Sequence, residues 1–143
     1  MAEKLTRKEI AEKFGYDYVW SFFEGRACVK KDGKEFHICP DGLPAYQERY
    51  DYVWSFSEGM AAAQKDGKWF HIRPDGLPAY QERYDCVGSF SEGRAVVRKD
   101  GQWFHIRLDG LPAYQERYDY VGSFFEGRAV VRKDGQWFHI RLD

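Results

Sequence analysis

Apolar and polar residues alternate with a period of two along Arg94–Arg107, which reads Arg-Ala-Val-Val-Arg-Lys-Asp-Gly-Gln-Trp-Phe-His-Ile-Arg. The same run returns, with changes, at 26–39, 60–73 and 128–141. Alternation of this kind predicts strands, because successive side chains point to opposite faces of a sheet. The Asp-Gly pair at its centre predicts a tight hairpin, since both central residues of a type I′ turn need positive φ. With Asp100 and Gly101 at the turn, Lys99 faces Gln102, Arg98 faces Trp103, Val97 faces Phe104, Val96 faces His105 and Ala95 faces Ile106. One face is then Ala95, Val97, Phe104 and Ile106, wholly apolar, and its aromatic recurs as Phe36, Phe70 and Phe138. The other face is mixed and carries Arg94, Val96, Arg98, Trp103, His105 and Arg107. A one-residue slip would exchange the two sets, so burial of the apolar face sets the register.

The period of the whole chain is 34 residues. Tyr16-Asp-Tyr-Val returns at Tyr50, at Tyr84 (as Tyr-Asp-Cys-Val) and at Tyr118. The copies are 16–49, 50–83, 84–117 and a shortened 118–143, and residues 1–15 stand apart as an N-terminal cap. Within each copy a first strand near 118–124 leads through a Glu126-Gly127 turn into the hairpin. A second Asp-Gly turn, such as Asp109-Gly110, then opens the connector beginning Leu111-Pro112. Pro112 cannot donate to a ladder, which makes this piece an edge or a connector. Helical repeats of similar length are excluded by the period-two interior.

The first residues follow another rule. Thr6 with Glu9 forms a capping box, Leu5 with Ile10 has hydrophobic-staple spacing, and Gly15 is a fitting stop. Ile10, Ala11 and Phe14 share one face, so a short helix over 6–14 is expected to cover the open core of the first copy. The fold expected is therefore all-β: tandem 34-residue β-meander or hairpin repeats behind an N-terminal capping helix. The array is either open and superhelical or closed like a small propeller.

The run Tyr-Asp-Tyr-Val-Gly-Ser-Phe-x-Glu-Gly-Arg-Ala-x-Val-x-Lys-Asp-Gly-x-Trp-x-x-Ile at 118–140 resembles the WG β-repeat, also called the KWG repeat. The likeness covers residues 16–143. It implies a tandem β-repeat module of bacterial type, without fixing a biochemical activity. Departures from the pattern are Phe70, Phe104 and Phe138 after Trp, where Gly is usual, and Glu35 in place of Trp.

Composition narrows the function. Charged residues make up 31% of the chain but the net charge is only −1, and 84–117 alone holds five Lys/Arg against five Asp/Glu. This balance disfavours a nucleic-acid partner. No apolar run approaches the ~20 residues that span a bilayer, and no secretion signal opens the chain. Cys28, Cys39 and Cys86 do not recur between copies, which argues for a reducing, cytoplasmic setting over a disulfide framework.

Candidate chemistry is sparse. His37, His71, His105 and His139 recur on the mixed face, yet equivalent atoms of stacked copies lie farther apart than the roughly 2.0–2.1 Å bonds of one zinc centre allow. No metal or other cofactor is expected. Cys28 opposite His37 and near Arg26 suggests an activated thiol only superficially, because only the first copy has it and no oxyanion donors can be named. Asp66, Asp75, Asp100 and Asp109 sit in turns, where Asp suits the backbone. No catalytic residue is assigned and an enzyme is not expected. The binding residues expected are Trp69, Trp103, Trp137, His71, His105 and His139 with Arg98 and Arg132, a recurring surface suited to cation–π contact; the other role open to these tryptophans and histidines is simple cross-strand packing. The function expected is a protein-binding or structural scaffold module. The alternative is a carbohydrate- or cell-wall-binding module using the same aromatic face. Self-association through the C-terminal copy, as a two-fold dimer, is also expected, because an uncovered sheet edge seeks another chain.

Overall fold

The computed structural model describes residues 4–141. Helix α1 (Arg7–Phe14) opens the chain, with Thr6 as N-cap: its hydroxyl accepts the Glu9 N–H while the Glu9 carboxylate accepts the Thr6 N–H. Gly15 ends the helix at φ 73°. Ile10 is fully buried, and Leu5, Ala11 and Phe14 pack against the core.

Each copy then forms one three-stranded antiparallel sheet. Copy 1 has β1 (Tyr18–Phe23), β2 (Arg26–Lys31) and β3 (Lys34–Ile38); copy 2 has β4 (Tyr52–Val53), β5 (Ala61–Lys65) and β6 (Lys68–Ile72). Copy 3 has β7 (Cys86–Val87), β8 (Ala95–Lys99) and β9 (Gln102–Ile106); copy 4 has β10 (Tyr120–Val121), β11 (Arg128–Lys133) and β12 (Gln136–Arg141). The expected register holds in all five pairs of the third hairpin, Lys99–Gln102 through Ala95–Ile106. Asp100 and Gly101 have φ of 53° and 78°, as the type I′ turn requires.

The first strand is shorter than expected after copy 1. It pairs over two residues only, because the chain leaves the ladder beyond Gly88 and Gly122, whose N–H groups make one last bond to Val96 and Val130. Phe56, Phe90 and Phe124 then turn inward and are buried.

The copies join in series, and the array is open rather than closed. The connector lies along the outer edge of each preceding hairpin: Ala79 N–H reaches His71 O, and Tyr84 and Trp69 exchange both backbone bonds at 2.9 Å. Ladder bonding thus passes from one copy into the next. Three further devices recur. The Tyr50 hydroxyl donates to Gly76 O, and the Tyr84 hydroxyl to Gly110 O at 2.9 Å. The carboxylate of Glu24 accepts the N–H groups of Glu58 and Gly59, and Glu58 does the same for Glu92 and Gly93. Tyr46 and Tyr80 each lie against the Asp-Gly turn that opens the following connector, so close to Gly76 that an added Cβ would fall 2.2 Å from Tyr46 Cγ. Phe14 of α1 stands in the same relation to Gly42, and in this way the helix takes the place of a preceding copy.

The core runs along this stack. Phe36, Phe70 and Phe104 are buried, each with a guanidinium over its ring (Arg49 at 3.7 Å, Arg83 at 4.0 Å, Arg117 at 3.8 Å) and a tyrosine at its edge. Phe138 departs from its equivalents and is 42% exposed. Tyr118 still meets its edge, but among the described residues no connector arginine covers its face.

Candidate functional site

The mixed hairpin face divides into an inner and an outer half. At the inner half, His37, His71 and His105 are completely buried, against the expectation that His71 and His105 face a partner. The reason is that the connector and the next copy close over them. His71 Nδ1 lies 2.5 Å from the Tyr80 hydroxyl and Nε2 lies 2.8 Å from Gly88 O. The carbonyl can only accept, so Nε2 carries the proton and Nδ1 accepts from the tyrosine. His37 repeats the pattern with Tyr46 and Trp54 O, and His105 with Tyr114 and Gly122 O. Phe56, Phe90 and Phe124 stand 4.4–4.5 Å from the three imidazoles, ring centre to ring centre. Burial drives the His37 and His71 pKa values down to about 4 and lowers that of His105 as well. It also raises the Tyr46, Tyr80 and Tyr114 hydroxyls far above their usual range. These are neutral, fully bonded latches between copies, with no ring nitrogen left for a metal or a substrate.

At the outer half, Trp69 and Trp103 are half-buried and Trp137 is 58% exposed. Arg98 and Arg132 are exposed and lie 5.7 Å and 5.8 Å from the Trp103 and Trp137 rings, a loose cation–π distance. His139 is the one expected histidine at the surface, on the same strand as Trp137 and Phe138. The expected Trp–His surface is therefore a set of cross-strand tryptophans over buried histidines, open only on β12.

Further exposed aromatics lie on or just after the first strands. Tyr18, Tyr52 and Tyr120 occupy equivalent positions and are all exposed, as are Trp20 and Trp54 two residues beyond the first two. Tyr18 packs on Trp20 at 4.5 Å, and Trp54 on Trp69 at 5.0 Å. The hairpin pattern alone does not reveal these residues. The signal was present: Trp20 and Trp54 stand where the later copies have Gly88 and Gly122. Between the first two copies, Trp20, Phe23, Trp54, Cys28 and Glu35 line a groove of about 330 Å³. Burial pushes the Cys28 thiol up to about 12, so it stays protonated, unlike an activated nucleophile.

A family model for the WG containing repeat matches residues 8–34, 49–69, 82–103 and 117–137, one match for each copy. The chain belongs to the WG repeat family. No curated protein matches it. The first match begins within α1 and stops at Lys34, one residue before Glu35, while the other three run from just before the first strand to Trp69, Trp103 and Trp137. No helix among the described residues is long and apolar enough to cross a membrane.

Proposed function

We propose that this WG repeat array is a non-enzymatic binding or scaffold module that presents its outer face to a protein partner. The observation that carries the reading is the set of exposed aromatics on or just after the first strands, Tyr18, Trp20, Tyr52, Trp54 and Tyr120. Recurring exposed aromatics on a rigid frame favour recognition, because tyrosine and tryptophan bury much area at little entropic cost. The frame itself supports the reading, since ladder bonds and buried latches tie each copy to the next. The titratable groups support a role without catalysis: His37, His71 and His105 are buried and saturated, and Cys28 is a protonated thiol. Cys28, Cys39 and Cys86 are unpaired, which suits a reducing, cytoplasmic compartment.

Affinity capture with the wild-type chain and with the triple variant Tyr18→Ser, Tyr52→Ser, Tyr120→Ser tests this. A defined partner that is lost in the variant, at unchanged melting temperature, supports the reading. A partner retained in full by the variant contradicts it.

The second reading is carbohydrate binding. Tyr52 stacks on Trp69 with 21° between their ring planes, and Trp54 leans on the same Trp69 at 46°, an aromatic cluster that would suit a sugar ring. A glycan array separates the two readings, with Trp54→Ala as the control.

A further inference from the structure

The four copies are most unlike one another around a single groove. Trp20 and Trp54 replace the glycine of copies 3 and 4, Cys28 replaces Ala62, Val96 and Val130, and Glu35 replaces Trp69, Trp103 and Trp137. All four line the groove of about 330 Å³ between copies 1 and 2. At the next junction Trp69 fills the corresponding place and packs on Trp54. With a glutamate in that place the space between the walls stays open.

The chemistry of the lining is specific. Trp20, Trp54 and Phe23 form aromatic walls that are 38%, 41% and 53% exposed. Glu35 is 9% exposed, far less than a surface carboxylate, and one of its oxygens accepts the Val53 N–H at 3.0 Å. The other oxygen has no hydrogen-bond donor among the described residues. Lys30 is paired with Glu35 across the β2–β3 ladder but forms no ion pair with it among the described residues. Arg7 reaches the lining only through Ser21 Oγ, at 3.3 Å. Aromatic faces attract a cation, and a sparingly solvated carboxylate supplies the countercharge. A primary ammonium would draw on Glu35 and both serines of this lining at once, whereas a methylated one needs only the aromatic walls and a countercharge.

We propose that the groove between the first two copies binds a trimethylammonium group, held by the Trp20 and Trp54 rings against the Glu35 carboxylate. The proposal stands independently of the protein partner, because its probe is a small molecule. Two sources share this chemistry, a choline-type headgroup and a trimethylated lysine side chain.

Calorimetric titration of the full chain with choline and with free trimethyl-lysine tests both sources, and 3,3-dimethylbutanol serves as the uncharged isostere of choline. At least one of the two cations is expected to bind in a saturable 1:1 manner, and whichever binds more tightly identifies the source. The isostere should bind at least about ten-fold more weakly than choline, if choline is the ligand. Glu35→Gln keeps the acceptor for Val53 N–H and should lower affinity about ten-fold at unchanged melting temperature. Trp54→Ala should lower it similarly, while Phe125→Ala, exposed in the fourth copy and outside this lining, should leave it unchanged. Absence of saturable binding of either cation to the folded chain overturns the proposal. So does isostere binding equal to that of choline, or affinity unchanged in both Glu35→Gln and Trp54→Ala.

Discussion

Tyr80 donates its hydroxyl hydrogen to Nδ1 of His71 across 2.5 Å, while the same imidazole gives its Nε2 proton to Gly88 of the next copy. One buried ring thus joins a hairpin, its connector and the following repeat. His37 and His105 do the same at the other two junctions.

The latches make stability depend on pH. Burial holds His37 and His71 near pKa 4, whereas an unfolded histidine titrates near ~6.5. Arg26 beside His37 and Arg94 beside His105 push in the same direction as burial, and the bonds to Trp54 O, Gly88 O and Gly122 O oppose it. Between these values the unfolded chain binds more protons, so stability rises with pH. It is complete above about 6.5 and is lost as pH falls towards 4, by roughly 3 kcal/mol for each of the two histidines. Urea midpoints at pH 7.5, 6 and 5 should fall steadily, and a flat series would contradict neutral burial.

Phe104→Ala removes a buried ring from between Tyr84 and Arg117 and should cost about 3–5 kcal/mol. Arg98→Ala, on the exposed side of the same hairpin, should cost little. Phe138→Ala should cost clearly less than Phe104→Ala, because Phe138 is 42% exposed. Chemical denaturation of the three variants gives the ranking.

Much of this was legible in the residues, and the rest failed for a physical reason. Hairpin register, turns and capping helix follow from local rules: Asp100-Gly101 needs positive φ, and Thr6 with Glu9 satisfies the helix's first amides. The inner half of the second face did not follow. His71 looked like a surface residue because alternation reports only which side of its own strand a side chain takes. Whether that side is covered depends on Tyr80, Phe90 and Gly88, which lie 9 to 19 residues later and arrive through the connector. The Glu24 and Glu58 contacts were hidden likewise, because each spans a full repeat and uses backbone donors that no side-chain pattern reveals.

Two turn glycines separate strain from crowding. Gly59 has φ of 79° with nothing near an added Cβ, so Gly59→Ala should cost about 1 kcal/mol. Gly76 has a similar φ but faces Tyr46 at 2.2 Å, so Gly76→Ala should cost on the order of 3 kcal/mol. Equal thermal shifts in the two variants would deny the close connector–turn contact.

Glu58 tethers the Glu92-Gly93 turn through bonds of 2.7 Å and 2.8 Å. In Glu58→Ala the Gly93 amide should exchange with solvent markedly faster, while Gly59, held by Glu24, keeps its protection. Amide exchange followed by NMR reads both.

Strand β12 shows Trp137 and Phe138 to solvent, and association through this face is the expected consequence. Appending Gly-Leu-Pro-Ala-Tyr-Gln-Glu-Arg should cover Phe138, raise the melting temperature and reduce association measured by light scattering. If the extension changes neither quantity, β12 is not an open docking edge.

Each junction is locked by a neutral, buried histidine rather than marked by an exposed one. Long-range ¹H–¹⁵N NMR of the imidazoles tests it most directly. His37, His71 and His105 should show a single Nε2–H tautomer at pH 7, with His37 and His71 unchanged down to about pH 5. Rapid tautomer exchange at neutral pH, or titration of these two rings near 6.5, would contradict it.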